Sequence, residues 1–207
     1  MSVMHIPADL TLNFFPRTDP GNHDMSILQT PVNANLIIAV MYKDELLLKN
    51  VISDLENLYE IVDSTSPSYS FSDISPYYDP EMGPGIKKVI CSFKNTVHRD
   101  KLSEIKLKCV DIEEKYSING ARQVNLDPGL LSLENFILAT GKNFSHRIYL
   151  GKGVFAEVTL MFGKKSQIKE LPWTYRDYLF EPARTFLLET REKYRMKREK
   201  ILKNKGV

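Results

Sequence analysis

The sequence predicts an α+β domain, and three patterns predict it. Leu36 to Tyr42 is an unbroken apolar run bounded by polar residues, the signature of a strand covered on both faces. Leu102, Ile105, Cys109, Ile112 and Tyr116 recur at alternating intervals of three and four, the spacing of one helix face. Two alternating stretches, Arg147–Leu150 and Val154–Leu160, flank Gly151-Lys152-Gly153 as the arms and turn of a hairpin.

The remaining elements follow in chain order. Pro7, Pro16, Pro20, Gly21 and Pro31 break any periodicity before the first strand, so residues 1–30 form an irregular extension. After the strand, Asp44 caps a helix whose apolar face is Leu48, Val51, Ile52, Leu55 and Leu58. Pro67–Ser72 alternates weakly as a short edge strand, and Asp73–Gly85 is a long Pro-, Gly- and Tyr-rich loop. Lys88–Phe93 is a strand, the Leu102–Tyr116 helix follows, and Gln123–Leu126 is a short strand. Glu104–Lys108 and Asp111–Lys115 are spaced for i,i+4 ion pairs on that helix. Ser132 caps a helix through Ala139 that stops at Gly141. After the hairpin, Gly163-Lys164-Lys165 begins a turn and Gln167–Leu171 adds a strand. Ala183, Leu187, Tyr194 and Ile201 mark a long C-terminal helix.

The first six elements run β-α-β-β-α-β, the order of a ferredoxin-like core, with the sheet extended by the later hairpin. The chain then divides into the extension over 1–30, a single α+β domain over 31–180, and a basic amphipathic helix and tail over 181–207.

A chain of 207 residues buries a core without a metal or disulfide staple. The two cysteines, Cys91 and Cys109, show no CxxC spacing and read as buried, reduced thiols. The longest apolar run falls far short of the ~20 residues that span a membrane. The N-terminus lacks the basic and apolar segments of a secretory signal, so the expected location is the cytoplasm. The net charge of +2 hides an asymmetry. Arg191–Lys205 carries eight bases against two acids, a net +6, which leaves −4 for the rest. Arg191, Lys193, Arg195, Lys197 and Arg198 are therefore candidate contacts for nucleic acid, although no aromatic stacking platform of the kind single-strand binders carry is interleaved.

Three stretches concentrate chemistry. In Tyr77–Lys88, Gly83 and Gly85 let backbone N–H groups approach a ligand, Tyr78 and Glu81 flank them, and Lys87 and Lys88 can neutralise an anion. The GxxxxGK[ST] spacing of a P-loop is absent. Asn125-Leu126-Asp127-Pro128-Gly129 is placed at a strand end before a helix, a common ligand position, where Asp127 can bind a metal or take a proton, or else form an Asp-Pro-Gly turn. In Thr140–Arg147, Lys142 and Arg147 are anion clamps and His146 is the candidate acid or base. A three-residue turn centred on Lys152 sets Arg147 opposite Glu157 as a cross-strand ion pair and sends His146 to the other face. Both Arg147 and Glu157 are candidate ligand contacts. Trp173, the single tryptophan, is either a stacking wall for a ring or a core plug. No HxH or HExxH spacing marks a metal site.

These stretches also carry a resemblance. Pro76-Tyr77-Tyr78, Glu81-Met82-Gly83-Pro84-Gly85-Ile86-Lys87, Val124–Gly129, Ser145-His146-Arg147-Ile148-Tyr149-Leu150-Gly151 through Leu160, and Leu171-Pro172-Trp173-Thr174-Tyr175 occur in this order. Over Pro31–Tyr178 the chain resembles a bacterial family of unknown function, numbered 4416. The resemblance implies a bacterial cytoplasmic protein, and members of that family are sometimes labelled GTP-binding. This chain has neither a Walker A loop nor an Asn-Lys-x-Asp guanine-reading motif.

The combined expectation is a cleft lined by Glu81, Asn125, Asp127, Lys142, His146 and Arg147 that binds a small anionic ligand, a nucleotide or phosphorylated metabolite. A different class is a non-catalytic RNA- or protein-interaction module working through the basic C-terminal helix. No cofactor is specified.

Overall fold

The structure is a computed structural model that describes residues 28–163 and 167–204. The chain divides into two compact units, Met1–Thr30 and Pro31–Val207. The expectation for residues 1–30 lies almost wholly outside the described residues, as do Lys164 and Lys165 of the expected turn.

Among the described residues the second unit is α+β, with one nine-stranded antiparallel sheet and four α-helices. In chain order these are β1 (Ala34–Tyr42), α1 (Glu45–Tyr59), β2 (Val62–Thr65), β3 (Tyr69–Ser70), α2 (Asp79–Met82), β4 (Lys87–Val97), α3 (Leu102–Lys115), β5 (Val124–Leu131), β6 (Asn135–Thr140), β7 (Ile148–Gly151), β8 (Val154–Phe162), β9 (Ile168–Glu170) and α4 (Ala183–Asn204). The sheet order is β2-β4-β1-β5-β6-β8-β7, with β3 added on β4 and β9 on β8. Among the described residues, no helix is long and apolar enough to cross a membrane.

β1 lies inside the sheet, and every residue in it is buried. Its alternating side chains feed two cores. Leu36, Ile38, Val40 and Tyr42 pack with Val51 and Leu55 of α1 and with Ile105, Cys109 and Ile112 of α3. Ile37 and Ala39 face the other way, onto Phe136, Tyr178 and the Ala183, Phe186 and Leu187 face of α4. This is why the run reads as continuously apolar. α1 starts where Asp44 accepts the Leu47 N–H at 2.7 Å. The first half of α4 is part of the second core, and Tyr194 Oη donates to the Asn33 carbonyl.

Four expectations are corrected. Residues 132–139 are not a helix. Ser132 Oγ instead accepts from the N–H groups of Glu134 and Asn135 and closes a tight turn into β6, whose Phe136 and Leu138 are buried. A short apolar run fits either period, and pairing with both β5 and β8 decides for the strand. Asn125–Gly129 is not a loop at a strand end but lies within β5, Pro and Gly included. One edge of the sheet is β2, which was not foreseen, and only Tyr69–Ser70 of the expected edge strand pair with β4. In place of the expected i,i+4 pairs, Lys101 just before α3 pairs with Glu104 and Lys108 with Asp111, both at i,i+3, while Lys115 reaches Asp54 on α1.

One irregularity in the sheet positions the site. β5 pairs with β1 along its whole length, but with β6 only from Gly129 onward. A Cβ at Gly129 would stand 2.6 Å from the Ile137 carbonyl oxygen and 2.7 Å from the Phe136 ring, so only glycine permits this approach. Before it the strands part, and side chains serve the backbone groups that β6 leaves. The Leu126 N–H donates to Glu113 Oε1 at 2.7 Å, and the Leu126 carbonyl accepts from Lys106 Nζ at 2.7 Å. Lys106 and Glu113 stand 3.6 Å apart and are almost fully buried. Burial pushes the Glu113 carboxyl above its ordinary value, against the pull of Lys106.

Candidate functional site

A cavity of about 400 Å³ opens on the α4 side of the sheet. Met41, Lys88, Asp127 and Leu138 come to it from the strands. Ser75, Tyr77 and Tyr78 come from the β3–α2 loop. Lys142, Arg147 and Glu157 come from the β6–β7 loop and β8, and Tyr175, Asp177 and Tyr178 from the segment before α4. Its volume is in the range of small-molecule pockets.

The innermost charges are paired. Lys88 Nζ lies 2.6 Å from Asp177 Oδ2, with both side chains almost wholly buried. Tyr69 Oη donates to the same oxygen at 3.1 Å, and the Lys88 ammonium sits 4.3 Å from the Tyr178 ring centroid. Lys88, expected to neutralise an anion, thus already has its counter-ion. Lys87 points elsewhere and binds Glu45 at the surface.

A second buried carboxylate belongs to Glu157 on β8. The hairpin register pairs Ile148 with Ala156 and Tyr149 with Phe155, which brings Arg147 opposite Glu157. Arg147 Nε donates to Glu157 Oε2 at 2.7 Å, and His146 Nε2 lies 3.0 Å from the same oxygen. His146 was expected on the opposite face. It precedes β7, so the alternation of a strand does not apply to it, and its ring turns back to stack on Trp173 at 4.7 Å and 7°. Trp173 Nε1 donates to the Val158 carbonyl. His146 and Trp173 therefore stand behind the Glu157 wall and are not in the cavity lining. Among the described residues, Glu157 Oε1 and Tyr178 Oη are buried without a hydrogen-bond partner.

The rim is rich in donors. Arg147 also donates to the Lys142 carbonyl at 2.9 Å and to Tyr175 Oη at 3.0 Å. Lys142 Nζ donates to Tyr77 Oη at 2.6 Å. That lysine holds the Tyr77 phenol below its ordinary value, whereas burial pushes Tyr175 up to about 12. A guanidinium has five N–H groups and an ammonium three. After these bonds, Arg147 and Lys142 each retain two, and both phenols keep their own hydrogen to donate.

Asp127 carries the acceptor side. Arg122 binds Glu81 in a two-pronged pair at 2.6 and 2.7 Å and donates to Asn125 Oδ1 at 2.7 Å. Asn125 Nδ2 in turn donates to Asp127 Oδ2 at 2.9 Å. Arg122 holds the Glu81 carboxyl below its ordinary range. Glu81 and Asn125 thus reach the cavity through this chain, without lining it. Gly83 and Gly85, both with positive φ, shape the turn after α2 and lie outside the lining.

Of the residues expected at a site, Tyr78, Asp127, Lys142, Arg147 and Glu157 meet in the cavity wall. Asp177, Tyr175 and Tyr178 were missed. Their signal was the density of aromatic and acidic residues in Trp173–Tyr178, of which only the tryptophan was singled out. Among the described residues, no group of three or more His, Cys, Asp or Glu could hold a metal ion.

The family model described as Domain of unknown function (DUF4416) matches residues 32–194. The chain belongs to this family. No curated protein and no solved structure matches it. The DUF4416 match takes in every residue of the cavity wall and ends within α4. Near and beyond that end, several bases of the helix are engaged locally. Arg195 pairs with Glu192 and Glu199, Arg198 lies 3.6 Å from Glu134, and Lys197 donates to the Lys94 carbonyl. Arg191 donates to the Leu133 carbonyl, and Lys193 lines a separate cavity of about 330 Å³ beside Lys94.

Proposed function

We propose that the protein binds a small anionic ligand, a nucleotide or phosphorylated metabolite, in the cavity between β5, β6 and the segment before α4. The observation that carries this reading is the unspent donor capacity of Lys142, Arg147, Tyr77 and Tyr175 on one rim. A rim so rich in donors suits an oxyanion, and a guanidinium suits a phosphate or carboxylate. The apolar floor of Met41, Phe71 and Leu138 offers a surface for the uncharged part of such a ligand. The interaction-module alternative draws less support, since acids and carbonyls already occupy several bases of α4.

The same reading takes the first half of the domain as a ferredoxin-like βαββαβ unit, supported by the antiparallel order β2-β4-β1-β5. It places the protein in the bacterial cytoplasm, supported by the family resemblance and by Cys91 and Cys109, both free and buried.

The test is a thermal-shift and calorimetric screen of nucleotides and phosphorylated metabolites. At least one is expected to raise Tm in a saturable manner. Lys142→Ala is the informative variant, because Lys142 is exposed and its loss strands no buried charge, whereas Arg147→Ala would leave Glu157 unpaired. Loss of the shift in Lys142→Ala with unchanged ligand-free Tm supports the reading. Absence of any saturable shift across the screen overturns it.

A further inference from the structure

We infer that Asp127 is the specificity-determining acceptor of this cavity, so that the ligand is an anion that also carries a hydroxyl or amine donor. The inference rests on the proposed anion site and deepens it. The rim offers only donors, so it recognises negative charge and nothing more. Asp127 is the cavity-lining carboxylate that no cation has claimed by a hydrogen bond. Asp177 is taken by Lys88 and Tyr69, and Glu157 is held through Oε2 by Arg147 and His146, its unpartnered Oε1 being buried. The nearest cation to Asp127 is Lys106, whose Nζ stands 3.9 Å from Oδ1, beyond hydrogen-bond reach, and donates instead to the Leu126 carbonyl.

The carboxylate is also held in place from behind. Arg122 donates to Asn125 Oδ1, which fixes the side-chain amide so that Nδ2 must donate to Asp127 Oδ2. Asn125 is 2% exposed, so that orientation is locked by packing as well as by bonding. Glu81 grips Arg122 by two bonds at the surface end. One carboxylate oxygen is thereby committed, and Oδ1, with Lys106 Nζ 3.9 Å away, accepts no hydrogen bond from the protein. Glu81 and Arg122 act as positioning residues that hold the acceptor at a set angle. An ionised acceptor left with an open lone pair is satisfied by water or by a ligand O–H or N–H, and it disfavours a ligand that presents only C–H there.

The experiment uses three phosphates of similar size on the full chain. Propyl phosphate has no donor beyond its phosphate, glycerol 3-phosphate adds hydroxyls and phosphoethanolamine adds an amine. Binding is followed by calorimetry and by competition. The expected result is that at least one donor-bearing phosphate binds about tenfold more tightly than propyl phosphate, and which one identifies the donor as O–H or N–H. Asp127→Asn should abolish that preference, bringing the affinities of the three phosphates within about threefold of one another. Glu81→Gln, a change at the surface that keeps the shape of the side chain, should reduce the preference without affecting propyl phosphate, a change of ratio that a purely structural role would not produce. Equal binding of all three phosphates overturns the inference and leaves the anion site standing. A preference that survives in Asp127→Asn or is untouched in Glu81→Gln overturns it as well. Failure of all three and of inorganic phosphate to bind overturns the anion site itself, and this inference with it.

Discussion

The two faces of the sheet are built on different principles, although one strand supplies both. On the α1–α3 side, β1 contributes Leu36, Ile38, Val40 and Tyr42 to a core whose other members are nearly all aliphatic or aromatic. On the α4 side, Ile37 and Ala39 enter an apolar core, but the next residue of that face, Met41, borders the cavity with its buried charges. The first face is closed by two helices packed against it. The second is closed by α4 over only part of its area, and the remainder is covered by loops bearing Tyr77, Lys142 and Tyr175. The contrast teaches that the dry face is built from apolar packing throughout, and that the cavity end of the other face carries charge pairs whose purpose is poorly explained by stability alone. Burying a charge pair gains little over apolar packing of the same shape, while breaking one is costly.

Removing one partner of the inner pair should therefore give the largest effect. Asp177→Ala leaves the Lys88 ammonium among Phe71 and Tyr178 with no counter-ion and should cost about 3–5 kcal/mol in urea unfolding. The double change Lys88→Met with Asp177→Leu should recover most of that loss. A double variant as unstable as the single one would break the comparison, because the pair would then be a net stabiliser.

On the dry face, Leu55→Ala should cost about 3 kcal/mol, in the middle of the range for buried aliphatic truncations, since Leu55 is wholly buried between α1 and the sheet. Its effect on cavity binding should be nil, and a ligand affinity that fell with it would show that the two faces are coupled.

The smallest effect is a change of slope with pH, at the Lys106–Glu113 pair, where the dry face and the cavity floor meet. Burial raises the Glu113 pKa in the folded state, so the fold binds that proton more tightly than the unfolded chain does. The associated stability is full below the ordinary carboxylate value and is lost as pH rises through the raised one. In Glu113→Gln this loss should disappear, while an amide oxygen remains to accept the Leu126 N–H. Urea midpoints measured from pH 4 to pH 8 should thus fall more steeply in the wild type than in the variant across that window. Identical slopes would show that Lys106 fully offsets the burial.

Much of the fold was legible because it rests on local periodicity. The α3 face from Leu102 to Tyr116, the two-sided burial of β1 and the hairpin register that sets Arg147 against Glu157 were all readable from spacing. The errors share a cause. Residues 132–139 and 125–129 carry local signals, a capping serine and an Asp-Pro-Gly turn, that neighbouring strands override. His146 escaped the alternation rule because the strand begins two residues later, at Ile148.

What the sequence determined by itself was the set of elements with one dominant period, the family resemblance and five of the residues that line the cavity. It did so because amphipathic spacing and turn residues act within a few positions of one another. Only the tertiary structure decided which of the charges remain available. Lys88 and Asp177 are 89 positions apart, and Glu81 and Arg122 are 41 apart. Whether a lysine meets a carboxylate or a ligand depends on where the sheet brings such distant segments together. Asp127 is distinguished from Asp177 and Glu157 by the company each keeps in space, and nothing in its own local sequence marks that difference.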